Sequence, residues 1–96
     1  MLGKLADAQK KMQEIKNRLE TITVTGEAEG GKVVAEATGN NKLRSVKIND
    51  SLFKIGDREE VEELIVVAVN RALEASEKMM QAEMAVASKD LLPGMF

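Results

Sequence analysis

The sequence predicts an α+β fold in which a three-stranded antiparallel meander lies between two long helices, in the order α-β-β-β-α. Three observations predict it. Helical periodicity covers two long stretches, apolar and polar residues alternate between them, and glycine-rich turns separate the alternating runs. We therefore expect one domain over residues 1–96, with helices over about 2–20 and 58–88, strands over about 21–28, 32–38 and 43–49, and a tail over 89–96.

The first helix carries a heptad pattern of apolar residues. They fall at alternating steps of three and four: Leu5, Ala8, Met12, Ile15, Leu19 and Ile22. So narrow a stripe suits a partner helix better than a broad core. On the polar side, Glu14 and Arg18 have the spacing and acid-first order of a favourable i,i+4 ion pair. The chain is therefore predicted to need an associating partner.

The residues between the helices alternate with a period of two. Gly30-Gly31 and Gly39-Asn40-Asn41 lie where tight hairpin turns require positive φ angles. One face of the resulting sheet is rich in Thr, Glu and Lys, and the other is small and aliphatic, so a helix should cover only the second face. The edge strands leave unpaired backbone, which a second copy related by a two-fold axis would satisfy.

The second helix should follow a short connector over residues 50–56. Asp57 and Glu60 have the spacing of a capping box. Its predicted inward positions are Val61, Ile65, Ala68, Ala72, Ala75, Met79, Ala82 and Val86. Residues 64–69 are apolar on every side of the helix, which indicates cover by the chain's own sheet and by a second copy. The predicted homodimer interface comprises Ile22, Val24, Val46, Ile48, Leu64, Ile65, Val67 and Ala68.

The composition excludes several classes of function. The 96 residues include no Cys and no His, so disulfides, thiolate nucleophiles, imidazole catalysis and the usual zinc ligands are absent. We expect no enzyme, no metal site and no cofactor. Two Phe without Trp or Tyr disfavour stacking on single-stranded bases. The chain also has neither a secretory leader nor a membrane-spanning stretch, so we expect a soluble cytoplasmic protein.

The charge is unevenly distributed along the chain. The net charge is −2, yet residues 1–54 hold ten basic against seven acidic residues, whereas residues 55–96 hold four against nine. Lys4, Lys11 and Arg18 flank the heptad seam. In a dimer such rows would create the positive potential that a phosphate backbone attracts, but they could equally be the solvated side of an ordinary helix. The residues alone leave both alternatives open.

Six segments of the chain carry a resemblance to a known family. They are Ala8-Gln9-Lys10-Lys11-Met12-Gln13, Val24-Thr25-Gly26-Glu27, Ser45-Val46-Lys47-Ile48, Asp50-Ser51-Leu52, the stretch 64–72 with Asn70 inside it, and Leu92-Pro93-Gly94-Met95-Phe96. In order and spacing the chain resembles the YbaB/EbfC family of bacterial nucleoid-associated proteins. The resemblance implies a tight, intertwined homodimer with helices that project like tweezers. It also implies double-stranded DNA binding in the cytoplasm, with a role in nucleoid organisation or gene regulation.

On this resemblance, basic side chains are the candidate DNA-binding residues. They are Lys4, Lys10, Lys11, Lys16 and Arg18 on the first helix, with Arg71 and Lys78 on the second as weaker candidates. We expect contacts to the phosphate backbone without strong sequence preference, and modest affinity because a dimer carries a charge of −4. Asp50 departs from the family, whose members often have Pro there. The alternative is a homodimeric protein-interaction module that uses the helical seam or the tail Leu91–Phe96, with DNA binding incidental.

Overall fold

The computed structural model describes residues 2–91. Its elements are α1 (Leu2–Thr21), β1 (Thr23–Ala28), β2 (Val33–Thr38), β3 (Leu43–Ile48), α2 (Asp50–Ile55) and α3 (Arg58–Leu91). The predicted α+β class and the order of the two long helices and three strands are confirmed. None of the helices within residues 2–91 is both long enough and apolar enough to span a bilayer.

Two element boundaries, the start of β1 and the end of α3, differ from the prediction by more than one residue. α1 continues through Thr21, whose Oγ1 donates a hydrogen bond to the Arg18 carbonyl oxygen at 2.7 Å, so β1 begins two residues later than expected. α3 continues to Leu91, three residues beyond the predicted end. Residues 92–96, which form the rest of the predicted tail, lie outside the described part of the chain.

The predicted connector over residues 50–56 is wrong, because it contains the helix α2. The Asn49 side chain caps this helix by accepting a hydrogen bond from the Ser51 amide at 2.8 Å. At the other end, the Gly56 amide donates to the Leu52 carbonyl at 2.7 Å. Leu52 is buried and anchors the helix to the core, so a single apolar side chain holds this turn in place.

The sheet is an antiparallel meander in the order β1-β2-β3. Gly26 pairs with Ala35 and Ala35 with Val46, which aligns the small residues of the three strands on one face. The β1–β2 turn contains Gly30 and Gly31 with φ angles of 63° and 93°, as the hairpin prediction requires. In this topology β1 and β3 are the edge strands.

The main core lies where α3 packs on β1 and β2. Its fully buried members are small: Ala28, Val33, Ala35, Ala37, Ala68 and Ala72. Gly26 permits the closest approach, because a Cβ atom at this position would lie 2.2 Å from the Ala72 backbone nitrogen. Small residues on both surfaces therefore let the helix backbone lie almost against the strand.

The buried face of α3 turns around the helix axis along its length. Ala68, Ala72 and Ser76 are fully buried, and each step of four residues rotates the buried face by about 40°. The predicted inward positions Ala82 and Val86 are therefore wrong as core positions, because both are exposed, whereas Ala75 is half-buried. Ser76 and Ala87 are buried instead.

The second, smaller core joins α1 to the C-terminal half of α3. Ile15, Leu19 and Ala87 are buried there, and the half-buried residues around them are Met12, Ile22, Met79 and Met80. The partner predicted for the heptad seam is thus α3 of the same chain. The two helices run antiparallel and form an arm that extends from the sheet, which gives the protomer dimensions of 62 × 22 × 16 Å.

Candidate nucleic-acid interface

The basic residues of α1 lie on the outside of the arm. Lys4, Lys11 and Arg18 follow one another at steps of seven residues, which places them about 10.5 Å apart along nearly one side of the helix. These three residues are exposed, as are Lys10 and Lys16. The five candidates on α1 are therefore all exposed along the arm. Lys11 and Arg18 lie on one flank beside Val86, and Lys16 lies on the other flank beside Met80. We call these five residues together the α1 basic surface.

Lys4, Leu5 and Lys10 lie in the first turns of α1, at the end of the arm that is farther from the sheet. Ile15 packs against Ala87, and antiparallel helices with the same rise per residue then bring Lys11 level with Leu91. Lys4 and Lys10 precede that point. Leu5 lies on the seam side of these turns and is 58% exposed. The N-terminal turns of α1 therefore carry exposed basic side chains at the far end of the arm.

Arg18 makes an ion pair across the arm that the sequence did not predict. Its Nη2 donates to Oε2 of Glu83 on α3, so the ion pair of Arg18 is with Glu83 and not with Glu14 as expected. The Arg18 side chain is 56% exposed and that of Glu83 only 23% exposed. The carboxylate lies in the junction between the helices, whereas the guanidinium reaches the surface.

The C-terminal end of α1 is fixed to β3 and the loop before it. Arg44 Nη2 donates to the Glu20 carbonyl oxygen at 2.9 Å, where a positive charge also complements the helix dipole. Lys42 Nζ lies 3.3 Å from Glu20 Oε1, and this hydrogen bond and charge hold the pKa of Glu20 below its usual range. Arg44 and Lys42 thus join the C-terminal end of α1 to β3 and to the loop before it.

The two weaker candidates lie on an acidic helix. Arg71 Nη1 donates to the Glu27 carbonyl oxygen at 2.7 Å, so this side chain joins α3 to β1. Lys78 is exposed. α3 carries four basic and eight acidic residues, whereas α1 carries five basic and three acidic residues. The positive surface is therefore that of α1, and the structure does not bring Arg71 into it.

The predicted interface residues occupy three kinds of position. Ala68 is fully buried beneath the protomer's own sheet, so its surface is already covered within one chain. Val67 is exposed. The half-buried members are Ile22, Val24, Val46, Ile48, Leu64 and Ile65.

An apolar seam remains open beside α3. The helix lies mainly over β1 and β2 and makes far fewer contacts with β3. Val46 and Ile48 on the inner face of β3 therefore stay half-buried, as do three flanking residues of α3, namely Ile65, Val69 and Leu73. Val66 on α3 and Leu43 on β3 are exposed. We call these seven residues the β3 seam.

Comparison with known proteins identifies the family. Residues 1–91 match the YbaB/EbfC DNA-binding family. The chain belongs to this family. A nucleoid-associated protein of Flavobacterium johnsoniae is 35% identical over 98 residues, which cover 99% of this chain and 91% of the relative. A nucleoid-associated protein of Chlorobium chlorochromatii is 42% identical over 83 residues, which cover 86% of this chain and 73% of the relative.

The fold is also similar to that of a solved structure. The crystal structure of the uncharacterized protein HP0035 from Helicobacter pylori matches with a TM-score of 0.74 and 26% sequence identity, covering 88% of this chain and 89% of that one. The resemblance inferred from six short segments is thus confirmed by matches that span most of the chain. YbaB/EbfC is a DNA-binding family and not a class of enzyme.

Three residues that shape this YbaB/EbfC arm were missed in the sequence. Glu83 and Arg44 act through partners 65 and 24 residues away in the chain, and no local spacing rule predicts such pairs. Ser76 is fully buried and its Oγ accepts a hydrogen bond from the Asn41 amide at 2.7 Å. A serine on an apolar helix face, here between Ala72 and Met80 at steps of four residues, is a detectable signal, since a buried hydroxyl requires a partner.

Proposed function

We propose that this protein is a homodimer that binds double-stranded DNA through the α1 basic surface and acts at the bacterial nucleoid. The observation that carries the proposal is the exposure of five basic side chains along an arm that projects from the sheet. Membership of a DNA-binding family and relatives named nucleoid-associated proteins support it. Because the nucleoid lies in the cytoplasm, the protein would act there, in nucleoid organisation or gene regulation.

The chemistry of the arm favours contacts with phosphate groups. Four of the five basic residues are lysines, which bind phosphate as point charges without fixing a base identity. Two such arms in a dimer would double the number of phosphate contacts, and each contact raises the steepness of salt dependence by about 0.9. The acidic α3 opposes this attraction at long range. We therefore infer binding that is weak in sequence preference and strong in salt dependence.

The β3 seam supports a dimer. A helix is about 10 Å in diameter and neighbouring strands lie about 4.8 Å apart, so α3 alone can cover only two strands. The inner face of β3 therefore needs another element to cover it. A second copy of the chain can supply that cover, and a symmetric contact would bury the same apolar residues on both protomers. Within the predicted interface, Val46, Ile48 and Ile65 belong to this seam. Val66 and Leu73 extend it along α3.

A charge-reversal experiment tests the DNA proposal. In the double variant K10E/K11E, affinity for duplex DNA should fall at least about 100-fold at low salt, because repulsion replaces two attractive contacts. The control is K32E/K54E, which makes the same change in net charge at the opposite end of the molecule, where Lys32 and Glu60 border one hollow beside α2. Fluorescence anisotropy over a salt series measures both. Equal affinities of K10E/K11E and the control would contradict the proposal.

A second experiment tests the dimer. Val66→Glu places a charge in the β3 seam at an already exposed position, so the protomer should still fold while the dimer dissociates. Val86→Glu is the matched control, since Val86 is similarly exposed but lies on the arm. Sedimentation velocity should give monomers only for the first variant. A stable dimer that fails to bind DNA even at low salt would favour the protein-interaction alternative.

A further inference from the structure

We propose that Glu83 competes with DNA phosphate for Arg18 and thereby limits the affinity of the arm for DNA. The inference rests on the proposed function. It assigns to a residue of the acidic helix α3 a role in the binding surface of α1. Among the α3 carboxylates whose side chains the structure describes, Glu83 is the one that makes an ion pair with the α1 basic surface.

The geometry holds the competitor beside the site. Glu83 lies on α3 in the junction with α1, and its side chain is three-quarters covered. A helical backbone and close packing restrict how far this carboxylate can move away. A hollow of about 110 Å³ on the same flank of the arm is bordered by Lys11, Glu14 and Arg18, and Glu83 does not line it. The carboxylate is thus held beside one member of the basic row, Arg18.

A DNA phosphate can bind Arg18 in two ways, and Glu83 makes each of them less favourable. It can displace Glu83, in which case the existing ion pair is lost. Alternatively, it can bind the guanidinium donors that Glu83 leaves free, in which case two anions lie close together on one cation. Arg has five N–H donors and Glu83 engages Nη2, so donors remain for a phosphate in the second mode. An exposed ion pair contributes little energy, so the competition lowers affinity without blocking binding.

A purely structural role for the pair makes a different prediction. If Glu83 serves only to hold α1 against α3, its loss should reduce stability and leave DNA affinity unchanged or weaker. Glu83→Gln separates the two roles. The glutamine keeps an acceptor oxygen for the Arg18 donor but carries no negative charge, so the contact between the helices can persist while the competition with phosphate ends.

The test compares two variants with the same change in net charge. We expect Glu83→Gln to bind duplex DNA about three to ten times more tightly at low salt, with a salt dependence steeper by up to about 0.9 for each protomer. Glu77→Gln removes a charge from an exposed position on the same helix and should change affinity less than about twofold. In the Arg18→Gln background, Glu83→Gln should give no further gain, since the competed group is absent.

The outcomes separate this inference from the proposed function. Equal affinities of Glu83→Gln and Glu77→Gln would overturn it, as would a gain that persists without Arg18. A fall in melting temperature of Glu83→Gln without tighter DNA binding would also overturn it and assign the pair a structural role. The proposed function fails by a different result, which is unchanged binding in K10E/K11E. The experiments therefore distinguish a failure of the inference about Glu83 from a failure of the proposed DNA binding.

Discussion

The two ends of the molecule are packed in different ways. At the sheet, α3 lies against β1 through alanines and Gly26, and the backbones almost touch. In the arm, α1 and α3 are separated by longer side chains, among them Met12, Met79 and Met80. Close backbone packing tolerates no added atom, whereas methionines adapt to small displacements. The sheet is therefore a rigid base, and the arm that carries the basic residues is the more adaptable part.

The largest expected effect comes from adding one methyl group to the base. In Gly26→Ala, the new Cβ would lie 2.2 Å from the Ala72 nitrogen and 2.3 Å from the Ala68 oxygen. Because both obstacles are backbone atoms, α3 would have to move as a whole. We expect a loss of more than about 3 kcal/mol in the free energy of unfolding, measured by denaturant titration.

Gly3→Ala is the matched control for that experiment. A Cβ atom at Gly3 meets no atom within 4 Å, and alanine is the better helix former. We expect its stability to equal or slightly exceed that of the unchanged chain. Similar losses in both variants would mean that the close approach of β1 and α3 is not what makes the base rigid.

Truncation in the arm should have a smaller and more local effect. Ile15 is buried between α1 and α3, and Ile15→Ala should cost about 2 kcal/mol of local stability. Hydrogen exchange should accelerate in α1 while amides of the sheet stay protected. Leu5→Ala, at a seam position that is 58% exposed, should change little. Equal acceleration in the sheet would show that arm and base unfold as one unit.

Removal of the Arg44 side chain, which joins the arm to the base, should lower the free energy of unfolding by less than Ile15→Ala does. Arg44→Ala deletes the hydrogen bond to the Glu20 carbonyl and the charge at the end of α1, which together contribute about 1 kcal/mol. We expect the same loss in denaturant titrations. Lys47→Ala on the same strand is the control, since Lys47 pairs loosely with Glu36 at 3.8 Å. Equal losses would argue against a special role for Arg44.

The smallest expected effect depends on pH. Lys42 lowers the pKa of Glu20 in the folded protein, so this pair stabilises the fold above the pKa of an unfolded glutamate. The contribution is lost as the pH falls through the lower folded value. Because the pair is exposed, the effect should be slight. A carboxylate-resolved NMR titration should show the Glu20 pKa rising in Lys42→Gln, and an unchanged pKa would contradict the assigned cause.

Much of the fold followed from periodicity alone. The steps of three and four in α1 and α3, the alternation between them and the glycine turns correctly gave two helices and a meander. These features are local, since each depends on residues a few positions apart. The short helix α2 was missed because its six residues contain too few turns for a period to emerge.

The charges of the candidate site were visible in the sequence, but their partners were not. The sequence showed the five basic residues of α1 and the acidic character of α3, and the family resemblance made those basic residues candidates for DNA binding. Only the tertiary structure decided that the heptad seam packs within one chain, that Arg18 pairs with Glu83, and that Ala68 is covered while β3 is not. These outcomes depend on how far α3 extends over a twisted sheet and where α1 meets it. No local pattern determines that geometry, because it arises from contacts between residues far apart in the chain.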